Sequence, residues 1–154
     1  MNVQLFYTRN QSHMDEKKTK ILVVEDEEIL LTALSEELSQ EGFEVVGAKD
    51  GVEGVEKAAS EKPDLILLDL VMPKLDGIGA LKQMKANPAI QDIPVVILTN
   101  LSDYDKVSDA LSLGAMDYLV KANYNLEELV NKIKTVLERK QSGVLSAPVV
   151  PPAV

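Results

Sequence analysis

Through the middle of the chain, short apolar runs alternate with stretches whose apolar residues recur every three or four positions. Ile21 to Val24, Phe43 to Ala48, Leu65 to Asp69, Ile93 to Leu98 and Ala115 to Val120 have the length and continuity of strands, the third of them buried on both faces. Between them, Ile29, Leu30, Ala33, Leu34 and Leu38 mark a first helix that Gly42 stops. Val52, Val55, Ala58 and Ala59 mark a second, entered through Asp50-Gly51. A third runs from about Gly77 to Ala86 and ends before Asn87-Pro88, because the residue ahead of a proline is disfavoured in a helix. Val107, Ala110, Leu111 and Leu113 mark a fourth, stopped by Gly114. Asn125 and Glu128 form a capping box for a last helix that turns Leu126, Leu129, Val130, Ile133, Val136 and Leu137 inward.

Alternation of strand and helix implies crossover connections, a parallel sheet and helices on both faces. The expected class is therefore α/β, a doubly wound five-stranded parallel sheet in the order 2-1-3-4-5, over residues 20–140. In this order the connections leave strands 1 and 3 in opposite directions and open a crevice at their carboxyl ends, where ligands bind. Residues 1–19 show no sustained period, and Ser12-His13-Met14 resembles a cloning scar, so this stretch reads as a flexible arm or tag. Residues 141–154, with Pro148, Pro151 and Pro152, read as a flexible tail.

The carboxyl edge carries the candidate chemistry. Glu25 and Asp26 follow the first strand, Asp69 ends the third, Thr99 ends the fourth and Lys121 ends the fifth. A parallel sheet gathers all five although they span almost the whole globular part. Each has an ordinary explanation: an Asp that leaves the core, acids that favour a helix start, a strand Thr, a solvated Lys. Together they make a stronger signal. Three carboxylates held close repel, which raises their pKa values and invites a cation. An all-oxygen cluster suits a hard ion, and Mg²⁺ commonly combines few carboxylates with waters and phosphate oxygens. Lys121 suits a phosphoryl oxygen as a point charge, and Thr99 can donate to the same group.

Charge and composition narrow the partners. The 154 residues carry a net charge of −9, which argues against nonspecific attraction to nucleic acid or anionic lipid. Cysteine is absent, so disulfides and thiolate metal sites are excluded and a reducing, cytoplasmic setting is expected. No run approaches the roughly 18 apolar residues of a bilayer span. The single histidine, His13, lies in the N-terminal stretch, so the folded part holds no Ser-His or Cys-His nucleophile pair.

Four segments carry a family resemblance: Ile21-Leu22-Val23-Val24-Glu25-Asp26-Glu27, Leu68-Asp69-Leu70-Val71-Met72-Pro73-Lys74-Leu75-Asp76-Gly77, Val96-Ile97-Leu98-Thr99 and Gly114-Ala115-Met116-Asp117-Tyr118-Leu119-Val120-Lys121. Residues 20 to 140 resemble the receiver domain of two-component response regulators, of the single-domain chemotaxis type, with a flavodoxin-like fold. The resemblance implies that Asp69 is phosphorylated by a histidine kinase or histidine phosphotransfer protein. It implies that Glu25, Asp26, Asp69 and the main-chain carbonyl of Val71 bind Mg²⁺. It also implies that Thr99 turns toward the phosphoryl group while Tyr118 swings inward, changing the surface of the fourth helix, fifth strand and fifth helix for an output protein not yet named.

Departures from the family pattern are local. Lys121 precedes Ala122 where receivers usually have a cis proline, and a cis bond without proline costs about 2.5 to 4 kcal/mol, so a trans bond is expected. Asn100 follows Thr99 where a smaller residue is usual and would crowd Tyr118. Val71 and Leu101 are apolar at positions that in the family influence attack by water, so a long-lived phosphoryl-aspartate is expected. The short Pro-bearing tail is too little for an effector domain, which points to signalling through protein contacts, without turnover of a substrate and without direct contact to nucleic acid. An excised domain is the other reading of that tail. Competing functions are an Asp-nucleophile phosphohydrolase of the haloacid-dehalogenase type, whose second Asp is missing after Asp69, and a receiver-like scaffold that accepts no phosphate.

Overall fold

The structure is a computed structural model that describes residues 17–142. The expected arm and tail fall mostly on residues 1–16 and 143–154, outside the described residues. Strands β1 (Lys20–Val24), β2 (Glu44–Ala48), β3 (Leu65–Asp69), β4 (Val95–Thr99) and β5 (Asp117–Val120) alternate with helices α1 (Glu28–Gln40), α2 (Gly51–Glu61), α3 (Gly77–Ala86), α4 (Tyr104–Ser112) and α5 (Leu126–Ser142). A short 3₁₀ turn, Leu101–Asp103, leads into α4. α5 continues through Ser142, into the stretch expected to be tail.

All strand pairs are parallel and the order is β2-β1-β3-β4-β5, as the alternation predicts. Side chains on a strand alternate between faces, so each strand feeds two cores. Ile21 and Val23 join Leu65, Leu67, Val96 and Leu98 under α1 and α5. Leu22 and Val24 join Ile66, Leu68, Val95 and Ile97 under α2, α3 and α4. Every residue of β3 and β4 is buried, which explains why these two strands read as unbroken apolar runs.

In two helices part of the expected apolar set lies off the buried face, while Leu34, Leu38 and Ala58 are buried and Leu30 and Val55 pack against the core as expected. In α1 the buried positions are Leu31, Leu34 and Leu38, whereas Ile29 is 88% exposed in the first turn, beyond the reach of the sheet. In α2 the buried positions are Gly51, Gly54 and Ala58, whereas Val52 and Ala59 face solvent and Val55 is half-buried. Three Asx caps fix helix starts: Asp50 accepts from the Glu53 N–H, Asp76 from the Gly79 N–H and Asn125 from the Glu128 N–H, each at 2.8 Å. Gly42 and Gly114, at φ 95° and 112°, end α1 and α4 in the left-handed region that glycine enters freely.

Candidate functional site

Register assembles the site from the last paired positions and the residues just beyond them. Val24 pairs with Leu68, so Glu25 emerges beside Asp69. Asp69 pairs with Leu98, which sets Thr99 one step further along β4. Thr99 pairs with Val120, and the Lys121 N–H donates to the Thr99 carbonyl at 2.8 Å. The stem of Lys121 then crosses back over β4, bringing its ammonium to 3.1 Å from Asp69 Oδ2 and 2.9 Å from Glu25 Oε2. Glu27 Oε1 lies 3.6 Å from the same nitrogen.

Glu25, Asp69 and Thr99 are buried and Asp26 is exposed, so the cluster is closed below and open to solvent on one side. One carboxylate oxygen from each of Glu25, Asp26 and Asp69 lies within 4.8 Å of the others. Two of the buried oxygens, Glu25 Oε2 and Asp69 Oδ2, accept no hydrogen bond and are held by ion pairing to Lys121 alone. The other oxygens are engaged: Glu25 Oε1 accepts from the Glu27 N–H at 3.1 Å, and Asp69 Oδ1 from the Val71 N–H at 3.3 Å. An oxygen-only set with free buried lone pairs and one solvent-facing acid fits a hard divalent ion that keeps waters. It does not suit a soft metal, since the cluster contains neither Cys nor His.

Burial first and the Glu25 charge second push the Asp69 carboxyl up to about 7, against the downward pull of Lys121 and the Val71 N–H. Glu25 is also raised, by burial first and against the pull of Lys121. Burial works to lower Lys121, but its bond to Glu25 and the charges of Asp69 and Glu25 outweigh that and raise it. The sequence assigned the raised acids to mutual repulsion; desolvation is the larger cause.

Thr99 and Tyr118, expected from the resemblance to act as a switch, make their contacts outside the acid–lysine group. The Thr99 hydroxyl donates to the Asn100 carbonyl at 2.9 Å, and the Asn100 side chain is exposed, so Asn100 engages Thr99 through its backbone. Tyr118 is half-buried, edge-on to Tyr104 with ring centroids 6.5 Å apart, and Lys132 lies 5.4 Å from its ring centroid. Lys132 also pairs with Asp117 at 3.1 Å. Sequence reasoning missed Tyr104 and Lys132: one follows a 3₁₀ turn and the other lies 14 positions beyond Tyr118, so no local spacing links them. The described residues contain no cis peptide bond, which agrees with the trans Lys121–Ala122 expected.

Comparison with known proteins decides the family. A family model described as the response regulator receiver domain matches residues 21–134. The chain belongs to the response regulator receiver family. Its curated relatives include the alkaline phosphatase synthesis transcriptional regulatory protein PhoP of Bacillus subtilis, 42% identical over 129 residues, which cover 83% of this chain and 52% of that protein. Response regulator ArlR of Staphylococcus aureus is 41% identical over 123 residues, 79% of this chain and 54% of that one. This receiver thus spans about half the length of the curated relatives it matches. Among solved structures, a response regulator receiver domain protein from Clostridium thermocellum is similar with a TM-score of 0.75 and 31% identity, covering 80% of this chain and 98% of that one. Vibrio cholerae chemotaxis protein CheY4 is similar with a TM-score of 0.72 and 29% identity, covering 78% and 99%. Among the described residues of this receiver, no helix is long and apolar enough to cross a membrane.

Proposed function

We propose that Asp69 accepts a phosphoryl group from a phosphohistidine on a partner, a histidine kinase or histidine phosphotransfer protein. The observation that carries this reading is the buried Asp69 Oδ2, free of hydrogen bonds and 3.1 Å from Lys121, beside two further acids. An Asp69 oxygen attacks phosphorus, an O–P bond forms, the N–P bond of the donor breaks and the imidazole nitrogen keeps the electron pair. Glu25, Asp26, Asp69 and the Val71 carbonyl would hold Mg²⁺, which supplies charge neutralisation on the phosphoryl oxygens. Lys121 neutralises charge on the same group and is already held over Asp69 by Glu25.

After transfer, Thr99 exchanges its bond to the Asn100 carbonyl for one to the phosphoryl group, and Tyr118 leaves Tyr104 and Lys132 to fill the space behind it. The α4–β5–α5 surface then presents its second state to an output protein. Several curated relatives are named as transcriptional regulators and are about twice as long as the matched part, which favours a second reading: this receiver controls a DNA-binding output. Incubation with acetyl phosphate and Mg²⁺ tests the acceptor by intact mass, with beryllium fluoride as a mimic. Wild type gains one phosphoryl group and Asp69→Asn none; equal labelling of the variant moves the acceptor elsewhere, and no labelling of either leaves the scaffold reading.

A further inference from the structure

We propose that the start of α2, which supplies no ligand, braces the two acid-bearing segments against each other, with Asp50 and Gly51 as positioning residues. The inference rests on the acceptor reading above. Toward β1, a Cβ on Gly54 would lie 2.8 Å from Val24 Cγ1, one residue ahead of Glu25, whose own N–H donates at 3.0 Å to the carbonyl of Ala48 at the end of β2, two residues before Asp50. Toward the acceptor loop, a Cβ on Gly51 would lie 2.0 Å from the Leu75 carbonyl oxygen, so α2 and the loop meet backbone to backbone. Asp50 uses one oxygen to cap α2 at the Glu53 N–H and holds the other 3.5 Å from Lys74 Nζ.

What the brace holds is strained. Lys74 sits at φ 66°, and the Leu75 N–H donates to the Pro73 carbonyl at 2.8 Å, a γ-turn that a non-glycine residue adopts only when its surroundings impose it. Val71, whose carbonyl is a proposed ligand, lies three residues before Lys74. A face that served packing alone would carry large side chains, as α1 does with Leu31, Leu34 and Leu38. At the equivalent spacing α2 carries Gly51, Gly54 and Ala58, so its backbone can touch both segments at once. A shift of α2 therefore changes the separation of Glu25 from the Asp69 loop without touching a ligand.

The test uses isothermal titration with Mg²⁺, labelling by acetyl phosphate across Mg²⁺ concentrations, and urea unfolding in EDTA. Gly51→Ala is expected to bind Mg²⁺ roughly 10-fold more weakly, as loss of a ligand-orienting contact does, and to recover its labelling rate at saturating Mg²⁺. Unfolding at lower urea with an unchanged Mg²⁺ dissociation constant would mean packing alone and overturn the brace. Asp50→Asn keeps the cap, breaks the ion pair to Lys74 and is expected to weaken Mg²⁺ binding about 2- to 5-fold. If Gly51→Ala does not fold, this variant decides, and a wild-type dissociation constant in it overturns the proposal. Wild type that binds no Mg²⁺ overturns the acceptor reading and the brace together; variants that match a Mg²⁺-binding wild type overturn the brace alone.

Discussion

At the scale of single residues, this receiver is organised by charges placed where charge is disfavoured. Asp69 and Glu25 are raised by burial, so the metal-free folded state binds protons more tightly than the unfolded chain. The sign follows from linkage: a carboxyl raised from 3.8 to about 7 weakens the fold as pH climbs through that interval. Urea unfolding in EDTA should show wild type losing stability between those limits. Asp69→Asn should show a much shallower loss and exceed wild type at pH 8 by an amount on the order of 1–3 kcal/mol, the usual range for a buried unsatisfied group. Lys121→Ala leaves Glu25 and Asp69 without their shared cation and should destabilise by about 3–5 kcal/mol at pH 8, less at pH 5, below the raised pKa of Asp69, where that acid takes up a proton. At Val71, nearly half exposed two residues beyond the proposed acceptor Asp69, no polar group is offered to orient water. A phosphorylated sample followed by mass should therefore persist far beyond seconds, and Val71→Asn should shorten its lifetime.

At the scale of elements, each helix shows which of its apolar residues the sheet accepts. Ile29 and Leu34 belong to one helix and have one apolar character, yet Leu34 is fully buried and Ile29 is exposed. Leu34→Ala should cost about 2–5 kcal/mol, while Ile29→Ala should stay within about 0.5 kcal/mol, both read from denaturant unfolding. The reverse result would mean that α1 is rotated. On the α4–β5–α5 side, half-buried Tyr118 is held in place by Tyr104 and by Lys132, which Asp117 anchors. Lys132→Ala removes one of these contacts, a cation–π interaction of about 0.5–1 kcal/mol at an exposed site, and should shift Tyr118 inward in NMR ring contacts even without phosphate.

At the scale of the whole molecule, two buried carboxylate oxygens without a hydrogen bond make the proposed Mg²⁺ a stabilising ligand. Mg²⁺ at ten times its dissociation constant should stabilise wild type by about 1.4 kcal/mol, and Asp26→Asn, which removes the exposed acid, should reduce that gain. Alternating runs determined the α/β class, the strand order and the five edge residues, because buried parallel strands cannot be written without continuous apolar stretches. The four motifs carried the family through the acids, hydroxyl and ammonium that follow those runs. What tertiary structure alone decided was which helix face lies inward and how the site is held. The glycine face of α2, the Lys132–Tyr118–Tyr104 contacts and the dominance of desolvation over repulsion at Asp69 all depend on neighbours far apart in sequence. Spacing along the chain fixes what a segment prefers, whereas burial and approach distance belong to the packed molecule.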